Sequence, residues 1–219
     1  MILAALALIA AAPAAQPAPQ PVSQPGPTPL ILAFGDSLTA GYNLAPGLGF
    51  VPQLQASLRR HGIAATVADG GVSGDTTTDG KARLSWTLDG LPRTPDLVIV
   101  ELGANDMLRT LDPAIARANL DAILAELDRR YIRVLVAGMR ASPSLGSAYV
   151  TKFDPIFPAL AKSHGAALYP FFMDGVAGVP DMQQGDGLHP TFEGVKRIVT
   201  RILPAVKAAL VSPSSRPKE

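Results

Sequence analysis

From Leu30 onward the chain alternates short apolar runs with segments of helical spacing, and that alternation restricts the fold more than any other feature. Leu30-Ile31-Leu32-Ala33-Phe34 is a compact apolar run closed by Gly35, the pattern of a strand buried on both faces. Asp96-Leu97-Val98-Ile99-Val100-Glu101-Leu102, followed by Gly103, is the clearest such run, and residues 63–68, 132–138 and 166–172 supply three more. Helical patterns lie between them. Phe50, Leu54 and Leu58 mark a helix over residues 50–60 that stops at His61-Gly62. Residues 81–88 are helical, and Asp112-Pro113 opens a helix to Arg130 with Asp at the cap, Pro in the first turn and a stripe of Ile115, Leu120, Ile123, Leu124 and Leu127. A further helix covers 149–163 and ends at His164-Gly165, and a closing helix covers 191–210. Strands alternating with helices require βαβ crossovers, so the expected fold is α/β with a mainly parallel sheet covered on both faces. In such folds ligands gather beyond the C-terminal ends of the strands.

A chain of 219 residues is long enough for one well-filled domain. Hydrophobic residues at 47% and charged residues at 17% give a globular rather than a disordered balance. A net charge of +1 without a dense Lys/Arg cluster, and aromatics at 5%, argue against a nucleic-acid partner. The absence of cysteine excludes disulfides, thiolate metal sites, cysteine nucleophiles and attachment through a lipidated cysteine. Residues 1–12 are almost wholly apolar and lead to Ala12-Pro13-Ala14, which reads as a secretory signal over residues 1–15 even though no Lys or Arg precedes the apolar run. The run is too short to span a bilayer, so no stable membrane insertion is expected. Residues 16–29 hold six prolines and no apolar period, the composition of a leader. The expected domain then covers 30–211, followed by a polar, flexible tail over 212–219.

Several strands run into polar, glycine-bearing segments: Gly35-Asp36-Ser37, Gly103-Ala104-Asn105-Asp106 and Gly138-Met139-Arg140, with Gly71-Val72-Ser73-Gly74-Asp75 close behind the second strand. Ser37 alone is best read as part of a helix cap. His189 alters that balance. In Asp186-Gly187-Leu188-His189-Pro190-Thr191 the Asp and His stand three residues apart on one turn, so the carboxylate can hold Nδ1–H and leave Nε2 to accept a serine proton. His61 and His164 each precede a glycine at a helix end, where a histidine favours the helix dipole, so His189 is the candidate general base. Acyl transfer also needs donors to an oxyanion, for which the Asn105 amide and the Gly74 N–H are placed, although each also reads as an ordinary turn residue.

Taken in order, Gly35-Asp36-Ser37-Leu38-Thr39, Gly74 within Ser73-Gly74-Asp75-Thr76, Gly103-Ala104-Asn105-Asp106 and Asp186-Gly187-Leu188-His189 resemble the four signature blocks of the SGNH (GDSL) hydrolase family, over about residues 30–210. With Gly41-Tyr42 and His189-Pro190, the chain is most similar to the bacterial arylesterase, thioesterase I and lysophospholipase group. The resemblance implies a flavodoxin-like three-layer α/β/α sandwich with a five-stranded sheet, no cofactor and no metal. It also implies Ser37 as nucleophile, His189 as base oriented by Asp186, and an oxyanion hole from the Ser37 N–H, the Gly74 N–H and the Asn105 side chain. Asp36 and Asp106 belong to the blocks and are read as structural. No G-x-S-x-G elbow is present, which sets the chain apart from the standard α/β-hydrolases.

The expected activity is hydrolysis of aryl or short-to-medium acyl esters, with thioesters and lysophospholipids as related substrates, in the periplasm or outside the cell. Met107, Leu108 and Leu111 follow Asn105 and are the candidate substrate-binding wall, with residues 139–149 as another. A polysaccharide O-deacetylase is the enzymatic alternative, for which Trp86 and Tyr149 are the candidate sugar-stacking residues. A non-catalytic periplasmic binding protein would lack one of the block residues, and all are present. A nucleotide-binding flavodoxin-like protein would carry a phosphate-cradling run after the first strand, where there is only one glycine before Ser37.

Overall fold

The computed structural model of the chain describes residues 28–212. The expected signal, the expected leader except Thr28 and Pro29, and all of the expected tail but its first residue, lie outside the described residues. Five strands form one sheet: β1 (Leu30–Gly35), β2 (Thr66–Gly71), β3 (Leu97–Glu101), β4 (Arg133–Ala137) and β5 (Ala167–Tyr169). Their order is β2-β1-β3-β4-β5 and every pairing is parallel, with Ile31 opposite Val67 on one side and Leu97 on the other. The sheet grows outward in two directions from β1, so the order reverses between β1 and β3. The crevice above that switch point is where a ligand site is expected.

The helices cover both faces. They are α1 (Ser37–Ala40), α2 (Phe50–Arg60), α3 (Thr77–Asp89), α4 (Ala104–Leu108), α5 (Pro113–Arg129), α6 (Ser147–Phe153), α7 (Ile156–Ser163) and α8 (Phe192–Val211). Helices α2 and α8 pack together on one side, and α3 and α5 on the other with α7 beside them. β1 and β3 are buried along their whole length, which is why their sequences are unbroken apolar runs. Phe34, Phe50, Phe153, Phe157 and Phe172 are among the largest side chains fully enclosed by the layers.

Three expectations are corrected by physical detail. The second strand begins at Thr66 rather than residue 63 and continues through Asp69-Gly70-Gly71. As an edge strand it is buried only at Val67 and Gly70, and its end is glycine because α1 crosses it: a Cβ on Gly71 would overlap the Ala40 backbone. The single helix expected over 149–163 is two, α6 and α7, divided at Asp154-Pro155. Pro155 has no N–H to continue the ladder, and the Asp154 carboxylate instead accepts from the Ala141 N–H at 2.8 Å. The last strand stops at Tyr169, before Pro170. α8 runs unbroken through Pro204, whose exposed position leaves the missing bond facing solvent. Among the described residues no helix is long and apolar enough to cross a membrane.

Candidate active site

Ser37 is the first residue of α1, reached directly from the buried end of β1. Asp36 is the cap: its Oδ1 accepts from the Leu38 N–H at 3.0 Å. Capping is thus done by Asp36, and the Ser37 hydroxyl is left to face the crevice. His189 reaches it from the loop before α8, with Nε2 2.9 Å from Ser37 Oγ. On the other ring nitrogen, Nδ1 lies 2.6 Å from Asp186 Oδ2. The second Asp186 oxygen accepts from the backbone N–H groups of Leu188 (2.9 Å) and His189 (3.0 Å). This hydrogen bonding, led by the one from His189, lowers the Asp186 pKa to about 2, so the carboxylate is charged throughout the neutral range. A charged acceptor on Nδ1 fixes the tautomer that leaves Nε2 as the acceptor.

Asp36 is displaced in the opposite direction. Burial raises its pKa to about 7, against the Leu38 N–H and the nearby His189. Behind it lies Glu101, the last residue of β3 and fully buried. Burial first, and the Asp36 carboxyl second, hold Glu101 well above the usual carboxylate range, although Thr39 Oγ1 donates to its Oε2 at 2.7 Å. Its Oε1 is enclosed without a hydrogen-bond partner. Gly35 is packed so closely against this pair that a Cβ there would stand 2.6 Å from Glu101 Oε2 and overlap Thr39 Oγ1. The two carboxyls near His189 are therefore pushed in opposite directions, Asp36 toward the neutral form by burial and Asp186 toward the charged form by its hydrogen bonds.

Gly74 and Asn105 follow the C-terminal ends of β2 and β3, the two strands that flank β1 and Ser37. Gly74 adopts φ +89° and its carbonyl accepts from Arg109 Nη2 at 2.7 Å. Among the described residues the backbone N–H groups of Ser37 and Gly74 meet no acceptor. Asn105 Nδ2 donates to the Asp75 carbonyl at 3.0 Å and to Asp36 Oδ2 at 3.2 Å. Asp106, also in the third sequence block, is buried and receives the Thr77 N–H (2.8 Å) and hydroxyl (2.6 Å), which fastens the start of α3 to the loop after β3. Beneath the site Arg83 bonds Asp75 Oδ2 at 2.5 Å and the Gly35 carbonyl at 2.9 Å, and lies 4.2 Å over the Phe34 ring.

Of the three candidate wall residues, Leu108 is exposed at the end of α4, Met107 packs partly into the core, and Leu111 is held by its carbonyl, which accepts from Tyr149 Oη at 3.0 Å. Tyr149 stacks on Phe153 and Trp86 lies about 14 Å along α3 from its site-facing start. His61 and His164 sit at the C-terminal caps of α2 and α7, away from the cleft. Among the described residues no group of three or more His, Cys, Asp or Glu is arranged to hold a metal ion.

Glu101, Thr39, Tyr42 and Gln184 join the site without a role legible in the sequence. Tyr42 lays its ring on His189, centroids 4.4 Å apart. Glu101 had a visible signal, a lone charge inside an apolar strand.

The chain is similar to known proteins over most of its length. The arylesterase of Vibrio mimicus is 39% identical over 160 residues, 73% of this chain and 79% of that protein. The esterase TesA of Pseudomonas aeruginosa is 36% identical over 180 residues, 82% and 89% of the two chains. The crystal structure of AlinE4, an SGNH-hydrolase family esterase, superposes with a TM-score of 0.73 at 50% identity, covering 86% of this chain and all of that one. The pattern of the GDSL-like Lipase/Acylhydrolase family matches residues 33–197, from the first strand into the last helix, and the chain belongs to that family.

Proposed function

We propose that this protein is a serine esterase that hydrolyses aryl and short-to-medium acyl carboxylic esters through an acyl-enzyme on Ser37. The observation that carries the reading is the continuous relay Ser37 Oγ–His189 Nε2 at 2.9 Å and His189 Nδ1–Asp186 at 2.6 Å. Ser37 Oγ attacks the ester carbonyl carbon while His189 Nε2 takes the hydroxyl proton. The negative charge gathers on the carbonyl oxygen, where the N–H groups of Ser37 and Gly74 and the Asn105 amide donate to it. For Asn105 this asks one existing bond to give way, and the longer one, to Asp36, is the weaker. Collapse expels the alcohol, which receives its proton from His189. Water then attacks the acyl-serine with His189 again as base, releasing the acid.

The exposed apolar side chains near the cleft, Tyr42, Val72, Leu108 and Leu188, suit an acyl or aryl group better than a sugar. Trp86, far along α3, does not serve a sugar site. Met107, Leu108 and Leu111 are proposed as the acyl-contacting wall. The similarity to esterases such as TesA supports the same substrate class. The apolar residues 1–12 support export to the periplasm or beyond, checked by the mass of the exported form, which lacks residues 1–14 or 1–15 if the signal is cleaved.

Purified protein assayed on p-nitrophenyl esters of graded chain length, with Ser37→Ala alongside, tests the activity. Turnover by the wild type and a loss on the order of 10⁴-fold or more in the variant are expected. Equal activity, or equal inactivity, of the two sinks the assignment.

A further inference from the structure

His189 and Asp186 lie on a loop whose internal hydrogen bonds shape it but do not place it. Asp186 accepts from Leu188 and His189, Gln183 Nε2 donates to the Gly187 carbonyl at 2.6 Å, the Gly187 N–H donates to the Gln184 carbonyl at 2.9 Å, and Gln183 pairs with Pro190 in one antiparallel bridge. All of these lie within residues 183–190. They make a small rigid unit that presents an imidazole, and they say nothing about where that unit sits over Ser37.

Besides the Ser37–His189 bond and the Tyr42 ring lying on His189, one residue joins it to the nucleophile segment by hydrogen bonds. The Gln184 backbone N–H donates to the His189 carbonyl at 2.7 Å. Its Nε2 donates to the Pro190 carbonyl at 2.9 Å and, across the cleft, to the Tyr42 carbonyl at 2.9 Å, while its Oε1 accepts from Asn43 Nδ2 at 3.0 Å. Tyr42 and Asn43 directly follow Gly41, the C-terminal cap of α1, and the Tyr42 N–H donates to the Ser37 carbonyl at 3.0 Å. Among the described residues the hydrogen bonds between residues 36–43 and residues 183–190 are those of Gln184 and the His189–Ser37 bond itself. Both N–H groups of the amide are used, one on each segment, so its plane and reach set their separation.

We propose that Gln184 is a positioning residue, which ties the nucleophile segment to the base loop and sets His189 Nε2 at proton-transfer distance from Ser37 Oγ. The inference rests on the reading of Ser37 and His189 as nucleophile and base. Gln184 touches no reacting atom. A base displaced by about 1 Å loses on the order of 100-fold in rate, whereas substrate contacts made elsewhere are untouched. The defect therefore falls on kcat rather than KM.

Gln184→Ala and Gln184→Glu separate this from packing. The glutamate keeps the shape and can accept from Asn43, but it offers no N–H to the Tyr42 and Pro190 carbonyls. Both variants should show kcat on p-nitrophenyl butyrate lowered by about 10- to 100-fold with KM changed less than about two-fold. Phosphonylation of Ser37 by a p-nitrophenyl phosphonate should slow by the same factor. The low-field proton signal of His189 Nδ1–H should persist, because Asp186 travels with the loop. The melting temperature by circular dichroism should stay within about 4 °C of the wild type. Wild-type kcat in either variant overturns the proposal. So does a loss of kcat matched by a large fall in melting temperature in both, which makes Gln184 a fold residue. An active wild type, an inert Ser37→Ala and an unimpaired Gln184→Ala reject this inference alone, whereas failure of the Ser37→Ala comparison rejects the reading beneath it.

Discussion

The two sides of the cleft are held in different ways. Ser37 stands where β1, buried between β2 and β3, turns into α1, and Asp36, Glu101 and Thr39 are enclosed behind it. His189 and Asp186 lie on an exposed loop, with the Asp186 side chain 37% accessible and Leu188 beside it at 45%. The nucleophile is placed by the same packing that makes the fold. The base is placed by a handful of hydrogen bonds on an exposed loop and by the Tyr42 ring lying on it. Damage to the packing behind Ser37 should cost stability, and damage to the base loop should cost rate alone.

The largest effect should come from the loop. His189→Ala is expected to lower kcat/KM by on the order of 10⁴-fold or more, and Asp186→Asn by a comparable factor, with melting temperatures within about 4 °C of the wild type in both. A variant that lost activity only by unfolding would break the comparison. Leu32→Ala, which empties a fully buried site in β1, should do the reverse. It should cost about 2–5 kcal/mol in urea unfolding, with activity following the folded fraction.

Glu101 sharpens the contrast within the nucleophile side. Because burial and Asp36 keep its carboxyl neutral well above the usual range, Glu101→Gln preserves the charge state and should cost less than about 1.5 kcal/mol. Glu101→Ala strands the Thr39 hydroxyl and should cost about 1–3 kcal/mol. The sign with pH follows from the raised value. The contribution of Glu101 is complete below its ordinary pKa of 4.5 and is lost as pH rises through the folded-state one, so wild type should lose more stability than Glu101→Gln between pH 5 and 9.

The smallest effect lies far from the cleft. His164 joins α7 to α5 through Asp128 (2.6 Å) and Asp121 (2.9 Å). Burial lowers its pKa, but the two carboxylates outweigh it and leave the value above the usual 6.5. The contribution is present below that usual value and is lost as pH rises through the raised one. His164→Gln should cost about 0.2–1 kcal/mol at pH 5.5 and less at pH 8.5, read from urea midpoints at the two pH values, with no change in kcat.

What could be read from the sequence follows the same division. β1 and β3, as continuous apolar runs, and α2, with its Phe50, Leu54 and Leu58 spacing, carried their own signals, and α2 begins and ends where that spacing does. β2 was misplaced because an edge strand ending in Asp-Gly-Gly has no apolar period, and its course is set by Ala40 passing over it. The break between α6 and α7 was written in Pro155 but hidden by apolar residues on either side. α1 and α4, at four and five residues, are too short for any periodicity to register. Ser37, Asp186, His189, Gly74 and Asn105 stood out because their residue types and order were informative. Gln184 did not, since one of its hydrogen-bond partners lies 142 residues away and glutamine in a loop signals nothing by itself.

The carboxyl pair behind Ser37 also has a calorimetric consequence. Asp36 and Glu101 both hold protons more tightly in the folded chain than they would when exposed, so folding near neutral pH draws protons from the buffer and melting returns them. The heat of unfolding should therefore depend on the buffer's own heat of ionisation, differing between phosphate and Tris at one pH, and the slope of that dependence counts the protons released.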